Sequence, residues 1–164
     1  MKIAVTTDHA GYKDLVELKQ FLIDEGHEVI DYGPKSLDPD DDYPDFMFPA
    51  AKAVASNECQ VGIILGGSGQ GEAMAANRVK GVRCAVFYGP HAPEQAVDIE
   101  GDKSIDRYEI LRLTRQHNLS NVLSLAGRFL NVGEMKRAIV VWLGTPYGDG
   151  ERHLRRIRKL DRDI

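Results

Sequence analysis

The tightest constraint on this chain is a glycine-rich stretch held between an apolar strand and a helix. Val61-Gly62-Ile63-Ile64-Leu65 is a short apolar run that reads as a buried strand, and Ala73-Met74-Ala75-Ala76-Asn77 reads as the start of a helix. Between them, Gly66-Gly67-Ser68-Gly69-Gln70-Gly71-Glu72 carries four glycines in six positions. The missing side chains let the backbone turn sharply and let a ligand approach it closely. Because the loop opens a helix, its free N–H groups and the positive end of the helix dipole converge on one spot that suits an anion. A Walker A loop would follow its last glycine with Lys-Ser or Lys-Thr, whereas Gly71 is followed by Glu72. The dinucleotide fingerprint Gly-x-Gly-x-x-Gly also fails on spacing. What remains is an anion nest that contains a hydroxyl, Ser68, and a carboxylate, Glu72; a flexible turn capped by an acid is the plainer alternative.

The rest of the chain alternates strand and helix around that unit. Strands are expected near 2–6, 28–32, 61–65, 82–87 and 121–125. Helices are expected from Tyr12, with Leu15, Leu18 and Leu22 on one stripe and Gly26 as a stop, from Pro44 to about 56, from about 105 to 116, and over 132–143. Residues 88–104 form a long polar stretch, and 144–150 a turn-rich hinge into a basic tail. This order predicts an α/β fold: a Rossmann-like three-layer sandwich, with a five-stranded, mainly parallel sheet covered by helices on both faces. Residues 1–150 form one domain and 151–164 a basic helical tail. Ligands of such sheets sit beyond the carboxyl ends of the strands. That edge would gather Asp8 and His9, the glycine loop and Arg128; His117 and Asn118 precede the fifth strand and are not placed there by this rule.

Composition removes several classes of function. With 164 residues, 43% of them hydrophobic, the chain has room for a core. A formal charge of −4 argues against a general nucleic-acid binder. Cys59 and Cys84 lack CxxC spacing, and His9, His27, His91, His117 and His153 are scattered without an HExxH pattern, so no metal site is indicated. No Gly-x-Ser-x-Gly elbow surrounds Ser68. The short apolar start and the lack of a membrane-length stretch place the chain in the cytoplasm.

Three groups could carry chemistry besides the loop. Asp8-His9 closes the first strand and offers a carboxylate and an imidazole. His117 ends a helix, where the dipole favours a cation. Arg152 and Arg156 share one helical face at i, i+4 and could clamp a phosphate, although a basic run is also a common solvated face. Together these suit acid–base chemistry on a small phosphorylated metabolite.

The stretches Asp8-His9-Ala10-Gly11, Asp42-Tyr43-Pro44-Asp45, Gly67-Ser68-Gly69-Gln70-Gly71-Glu72, Ala75-Ala76-Asn77-Arg78-Val79-Lys80-Gly81, Arg115-Gln116-His117-Asn118, Asn121-Val122-Leu123 and Arg152-His153 resemble, in order, the ribose-5-phosphate isomerase type B / galactose-6-phosphate isomerase family. The resemblance spans nearly the whole chain. It implies a cofactor-free aldose–ketose isomerase, as a homodimer or homotetramer, with active sites at the subunit interface. By that resemblance Glu72, His117 and Ser68 are catalytic. Asp8, His9, Tyr43, Gly67, Gly69, Gln70, Gly71, Asn77, Asn118, Arg128, Arg152 and Arg156 bind substrate. The residues alone would put phosphate on the glycine loop; the family puts the reacting end of the sugar there and the phosphate on the arginines. Many members carry a cysteine base just before the loop, where this chain has Gly66; a subgroup uses the glutamate instead, so Glu72 is expected to be the base. A helix N-terminus lowers a carboxylate pKa, and burial would have to offset that. Residues 88–104 are longer than the family leads one to expect, either as a surface insertion or as a rim that selects the sugar. Ribose 5-phosphate is the expected substrate, with a six-carbon sugar phosphate or a catalytically silent sugar-phosphate binder as alternatives.

Overall fold

The computed structural model describes residues 1–160 and 162. The tail expectation for 151–164 therefore lies partly outside the described residues, at 161, 163 and 164. The elements are β1 (Lys2–Thr7), α1 (Tyr12–Asp24), β2 (Glu28–Asp31), α2 (Pro44–Ala55), β3 (Val61–Gly66), α3 (Gln70–Ala76), β4 (Cys84–Phe87), α4 (Glu109–Asn118), β5 (Val122–Ala126), α5 (Val132–Gly144) and α6 (Glu151–Ile157). The strands form one sheet in the order β2-β1-β3-β5-β4, and every pair is parallel. The chain runs outward from β1 to β2 and then crosses back to β3 on the other side of β1, so the sheet has its topological switch between β1 and β3. Register places Thr7 beside Leu65, which brings the segments leaving these two strands together at the carboxyl edge.

Alternation along the strands divides the core in two. Ile3, Val5, Ile63, Leu65, Leu123 and Leu125 point to one face, where Leu15, Leu18 and Leu22 of α1 and Met135, Ile139 and Trp142 of α5 cover them. Ala4, Ile64 and Val122 point to the other face, under Met47, Ala50 and Val54 of α2 and Ala75 and Ala76 of α3. β3 is buried at every position, as a central strand covered on both faces must be.

Element boundaries differ from the expectation at several places, α3 beginning at Gln70 rather than Ala73 among them, and two of the shifts have a local cause in side chains. The helix before β5 begins at Glu109, four residues later than expected, because Ser104 and Asp106 fold the chain into side-chain-capped turns. Ser104 Oγ accepts from Asp106 N–H at 3.1 Å and Asp106 Oδ1 accepts from Tyr108 N–H at 2.9 Å. β4 begins at Cys84 rather than Val82, because Arg83 N–H donates to Asn121 Oδ1 (2.8 Å) instead of entering the ladder. Residues 88–108 carry no regular element, yet they form a pinned arch. At its base His91 N–H donates to Arg107 O (2.8 Å) and Arg107 Nη2 donates to Pro90 O (3.1 Å). At its tip Val97 N–H donates to Asp102 O (2.8 Å) while Asp98 Oδ1 accepts from Asp102 N–H (2.9 Å). No helix among the described residues is long and apolar enough to cross a membrane.

Candidate active site

The switch point collects the first group of expected residues. Asp8 is buried where β1 ends, and its Oδ1 accepts from Ala10 N–H at 2.9 Å to start a 3₁₀ turn over His9–Gly11. The glycine loop leaves β3 beside it and is clamped from β5. Ser124, fully buried, donates its hydroxyl to Gly69 O (2.7 Å), Gly127 N–H donates to Gly66 O (2.8 Å), and Arg128 N–H donates to Gly67 O (3.0 Å). Gly69 has φ +72°, and a Cβ there would lie 3.0 Å from Ser124 Oγ, so conformation and space both require glycine. The bare faces of the other glycines hold side chains of the site. A Cβ on Gly67 would meet the Arg128 guanidinium at 3.2 Å, and one on Gly71 would meet the Tyr43 ring at 2.9 Å. Ser68 and Gln70 are exposed at the loop's outer edge, where Ser68 Oγ accepts from Gln70 N–H (3.3 Å). Among the described residues no acceptor engages the N–H groups of Ser68 or Gly69.

Glu72 sits in the first turn of α3 with only 5% of its surface exposed. A Cβ at position 66 would overlap its carboxylate, so the glycine before the loop leaves the volume that this acid occupies. Burial pushes the Glu72 carboxyl above its ordinary value; its own backbone N–H and the nearby Arg128 and His9 charges pull the other way, and the Asp8 charge adds to the rise. Burial therefore outweighs the backbone N–H in the first turn of α3 that favours the charged form. Glu72 Oε2 is buried with no hydrogen-bond partner among the described residues. A basic, unsolvated oxygen beside unengaged amides is equipped to take a proton from a bound ligand.

The second group assembles elsewhere. His117 and Asn118 end α4, whose C-terminus α6 packs against, and the His117 and His153 rings stack in parallel at 4.1 Å. With Arg152, Arg156 and the Ile99–Glu100 tip of the arch they line a cavity of about 830 Å³. Burial and the neighbouring charges of His117, Arg152 and Arg156 lower the His153 pKa, whereas Glu100 raises it. No ion pair among the described residues engages Arg152 or Arg156. Ahead of α6, buried Arg115 holds the end of α5 and the segment that follows it, donating to Thr145 O and Ser120 O and stacking on Trp142 and Tyr147. A single chain thus brings Asp8, His9, Tyr43, the glycine loop, Glu72 and Arg128 together, and His117, Asn118, Arg152 and Arg156 together, as two groups with no hydrogen bond or ion pair between them among the described residues.

One expected substrate ligand has another task. Asn77 closes α3, and its side chain pairs with the main chain of Cys84, accepting from N–H at 2.8 Å and donating to O at 3.0 Å. It thereby substitutes for a neighbouring strand at the open edge of β4, away from the glycine loop. Asp41, by contrast, has no role in the sequence reading, and His153 enters it only among the scattered histidines and within the Arg152-His153 stretch. Asp41 Oδ1 lies 2.7 Å from His9 Nδ1, and the only signal for it was the acidic run 38–42. Asp8, His9 and Asp41 place three potential metal-ligating atoms within 4.8 Å of one another, but the His9 and Asp41 atoms already pair with each other.

Fold and site define a class: a parallel α/β protein with a buried carboxylate and a glycine-rich loop of unengaged amides at its switch point. Residues 3–101 and 104–160 match the family described as Ribose/Galactose Isomerase, and the chain belongs to that family. The ribose-5-phosphate isomerase B of Mycobacterium leprae is 35% identical over 157 residues, covering 96% of this chain and 86% of the relative. The crystal structure of a ribose 5-phosphate isomerase from Thermotoga maritima superposes with a TM-score of 0.82 at 36% identity, over 98% of this chain and 97% of that one. The ribose-5-phosphate isomerase B of Mycoplasma genitalium with bound ribulose-5-phosphate gives 0.81 at 33% identity, over 98% and 93%.

Proposed function

We propose that this chain is a cytoplasmic, cofactor-free aldose–ketose isomerase that interconverts ribose 5-phosphate and ribulose 5-phosphate. The observation that carries the reading is Glu72: a buried carboxylate of raised pKa with a free oxygen, beside loop amides that have no acceptor. It removes the C2 proton of the open-chain aldose, and the electron pair forms a C1–C2 double bond as charge develops on O1. The Ser68 and Gly69 amides and the Ser68 hydroxyl stabilise that oxygen. Return of the proton to C1, with transfer of the O2 proton to O1, gives the ketose. Asp8, Tyr43 and Gln70 border the sugar, while Gly67 and Gly71 keep the loop bare enough for it. The chain thus falls in the glutamate subgroup, and Gly66 supports this because the carboxylate fills the space of a side chain there.

His117 opens the sugar ring, Asn118 contacts the sugar, and Arg152 and Arg156 bind phosphate together with His9 and Arg128. Because these residues form two separate groups in one chain, the complete site is composed of both groups from different protomers of a homodimer, free or paired into a tetramer. The arch tip that walls the arginine cavity then forms a rim beside the phosphate.

Turnover of ribose 5-phosphate by purified protein without added metal, measured beside Glu72→Gln, tests this. The variant should lose about 10²–10⁴-fold in kcat with KM little changed, the usual contribution of a positioned base. Near-normal turnover in the variant would move the base elsewhere. A wild type that binds the sugar phosphate without turning it over would make the chain a silent binder.

A further inference from the structure

The loop between β2 and α2 spends a buried carboxylate on a single histidine. Asp41 Oδ1 accepts from the His9 main-chain N–H at 3.2 Å and pairs with Nδ1 of the same residue at 2.7 Å. The Asp41 side chain is only 6% exposed, and its Oδ2 has no partner among the described residues. Burying an acid in this way is costly unless its partner carries a positive charge. With Nδ1 engaged, Nε2 is the ring nitrogen left to meet a ligand, and the His9 side chain is 33% exposed.

We propose that Asp41 is a positioning residue for the isomerase: it holds the His9 ring in one orientation and keeps it protonated, so that Nε2–H faces the anionic sugar phosphate as a cationic donor. The inference rests on the isomerase reading for its substrate, but the pairing itself does not. The mechanism is the familiar one in which a buried carboxylate fixes the tautomer and charge of an imidazole. The charges around His9 act in both directions. Hydrogen bonding to Asp41 raises its pKa most, Asp8 adds to the rise, and burial and the Arg128 charge oppose it; the balance is upward. Glu72, in the first turn of α3, also feels the His9 charge. An unheld histidine would be mostly neutral near pH 7.5, and its Nε2 could then turn a lone pair toward a phosphate.

Asp41→Asn separates charge from shape, because an amide oxygen still accepts from both N–H groups. The sign is fixed: without the carboxylate the imidazolium is lost at lower pH, so the alkaline limb of kcat/KM for ribose 5-phosphate moves to lower pH. The loss should fall on KM, on the order of tenfold near pH 7.5 and vanishing near pH 5.5. A loss uniform across pH would reduce Asp41 to a structural role and overturn the proposal. NMR titration of the His9 ring in substrate-free protein reads the same pairing without turnover. The wild-type midpoint should lie above about 6.5 and fall in Asp41→Asn. A wild-type midpoint at or below that value overturns the proposal even if the variant does not fold. An upward-shifted His9 in a protein that turns over no sugar phosphate would keep the pairing and sink the isomerase reading instead.

Discussion

The two halves of the proposed site are built in opposite ways. At the glycine loop three carbonyls, those of Gly66, Gly67 and Gly69, are held from behind by Gly127, Arg128 and Ser124 at the end of β5, and Glu72 and Asp8 are both buried. At the α4–α6 cavity Arg156 is exposed, Arg152 is half-buried, and neither has an ion-pair partner among the described residues. One half resembles a core and the other a surface awaiting charge. A base must be desolvated and aimed, which costs stability and demands buttressing. A phosphate clamp needs only cations within reach of a strongly hydrated dianion, and unpaired guanidiniums supply that at little cost. The halves should therefore differ in what their mutations disturb.

The largest expected effect tests whether the halves serve each other across protomers. Glu72→Gln chains should be nearly inactive alone, and Arg152→Ala/Arg156→Ala chains strongly impaired at substrate concentrations well below the wild-type KM. Random mixing would give heterodimers with one intact site each, restoring about a quarter of the wild-type sites. No recovery after mixing would mean that the halves do not combine between chains.

Next in size, the double arginine variant alone should lose about 10–100-fold in kcat/KM, the range expected for lost charge-assisted hydrogen bonds, with the change in KM. Its Tm should stay at the wild-type value, since the guanidiniums hold nothing in place. A clear fall in Tm would mean that the arginines are structural and would erase the contrast.

The smallest effect belongs to the buried half. Glu72 has a folded-state pKa above its ordinary value, so its ionisation opposes folding. That cost is present at pH values above the folded pKa and disappears below the unfolded one. Glu72→Gln should therefore raise Tm by a few degrees near neutrality and leave it unchanged near pH 4. Thermal melts that show an equal shift at both pH values would point to packing rather than charge.

Period and punctuation made most of the fold legible in the sequence. Leu15, Leu18 and Leu22 marked a buried stripe, Gly26 does end its helix with φ +81°, and the unbroken apolar run 61–65 is the central strand. The start of α4 was not legible, since Ser104 and Asp106 satisfy backbone donors locally and no hydrophobic period registers that competition. At the site, Asp8, His9, Glu72 and Arg128 could be placed by the rule that ligands meet the carboxyl ends of strands. Asp41 could not, because in an acidic run of five positions nothing local says which carboxylate turns inward. Nor did spacing reveal that Asn77 pairs with the edge of β4, or that His117 and His153 stack, since both depend on contacts between distant segments.

The bare position before the loop has a consequence for how such sequences can change. A side chain at 66 and a carboxylate at 72 claim one volume, so the two positions, though six apart, behave as a single locus. Placing any larger residue at 66 first would displace the acid, an overpacking cost of about 1–3 kcal/mol together with lost alignment. On the proposed mechanism, removing the acid first would leave no proton acceptor. Either order passes through a crippled intermediate. On that mechanism, chains with the base at one position or the other are separated by a fitness valley one substitution wide, and a chain with the acid at 72 should hold glycine at 66.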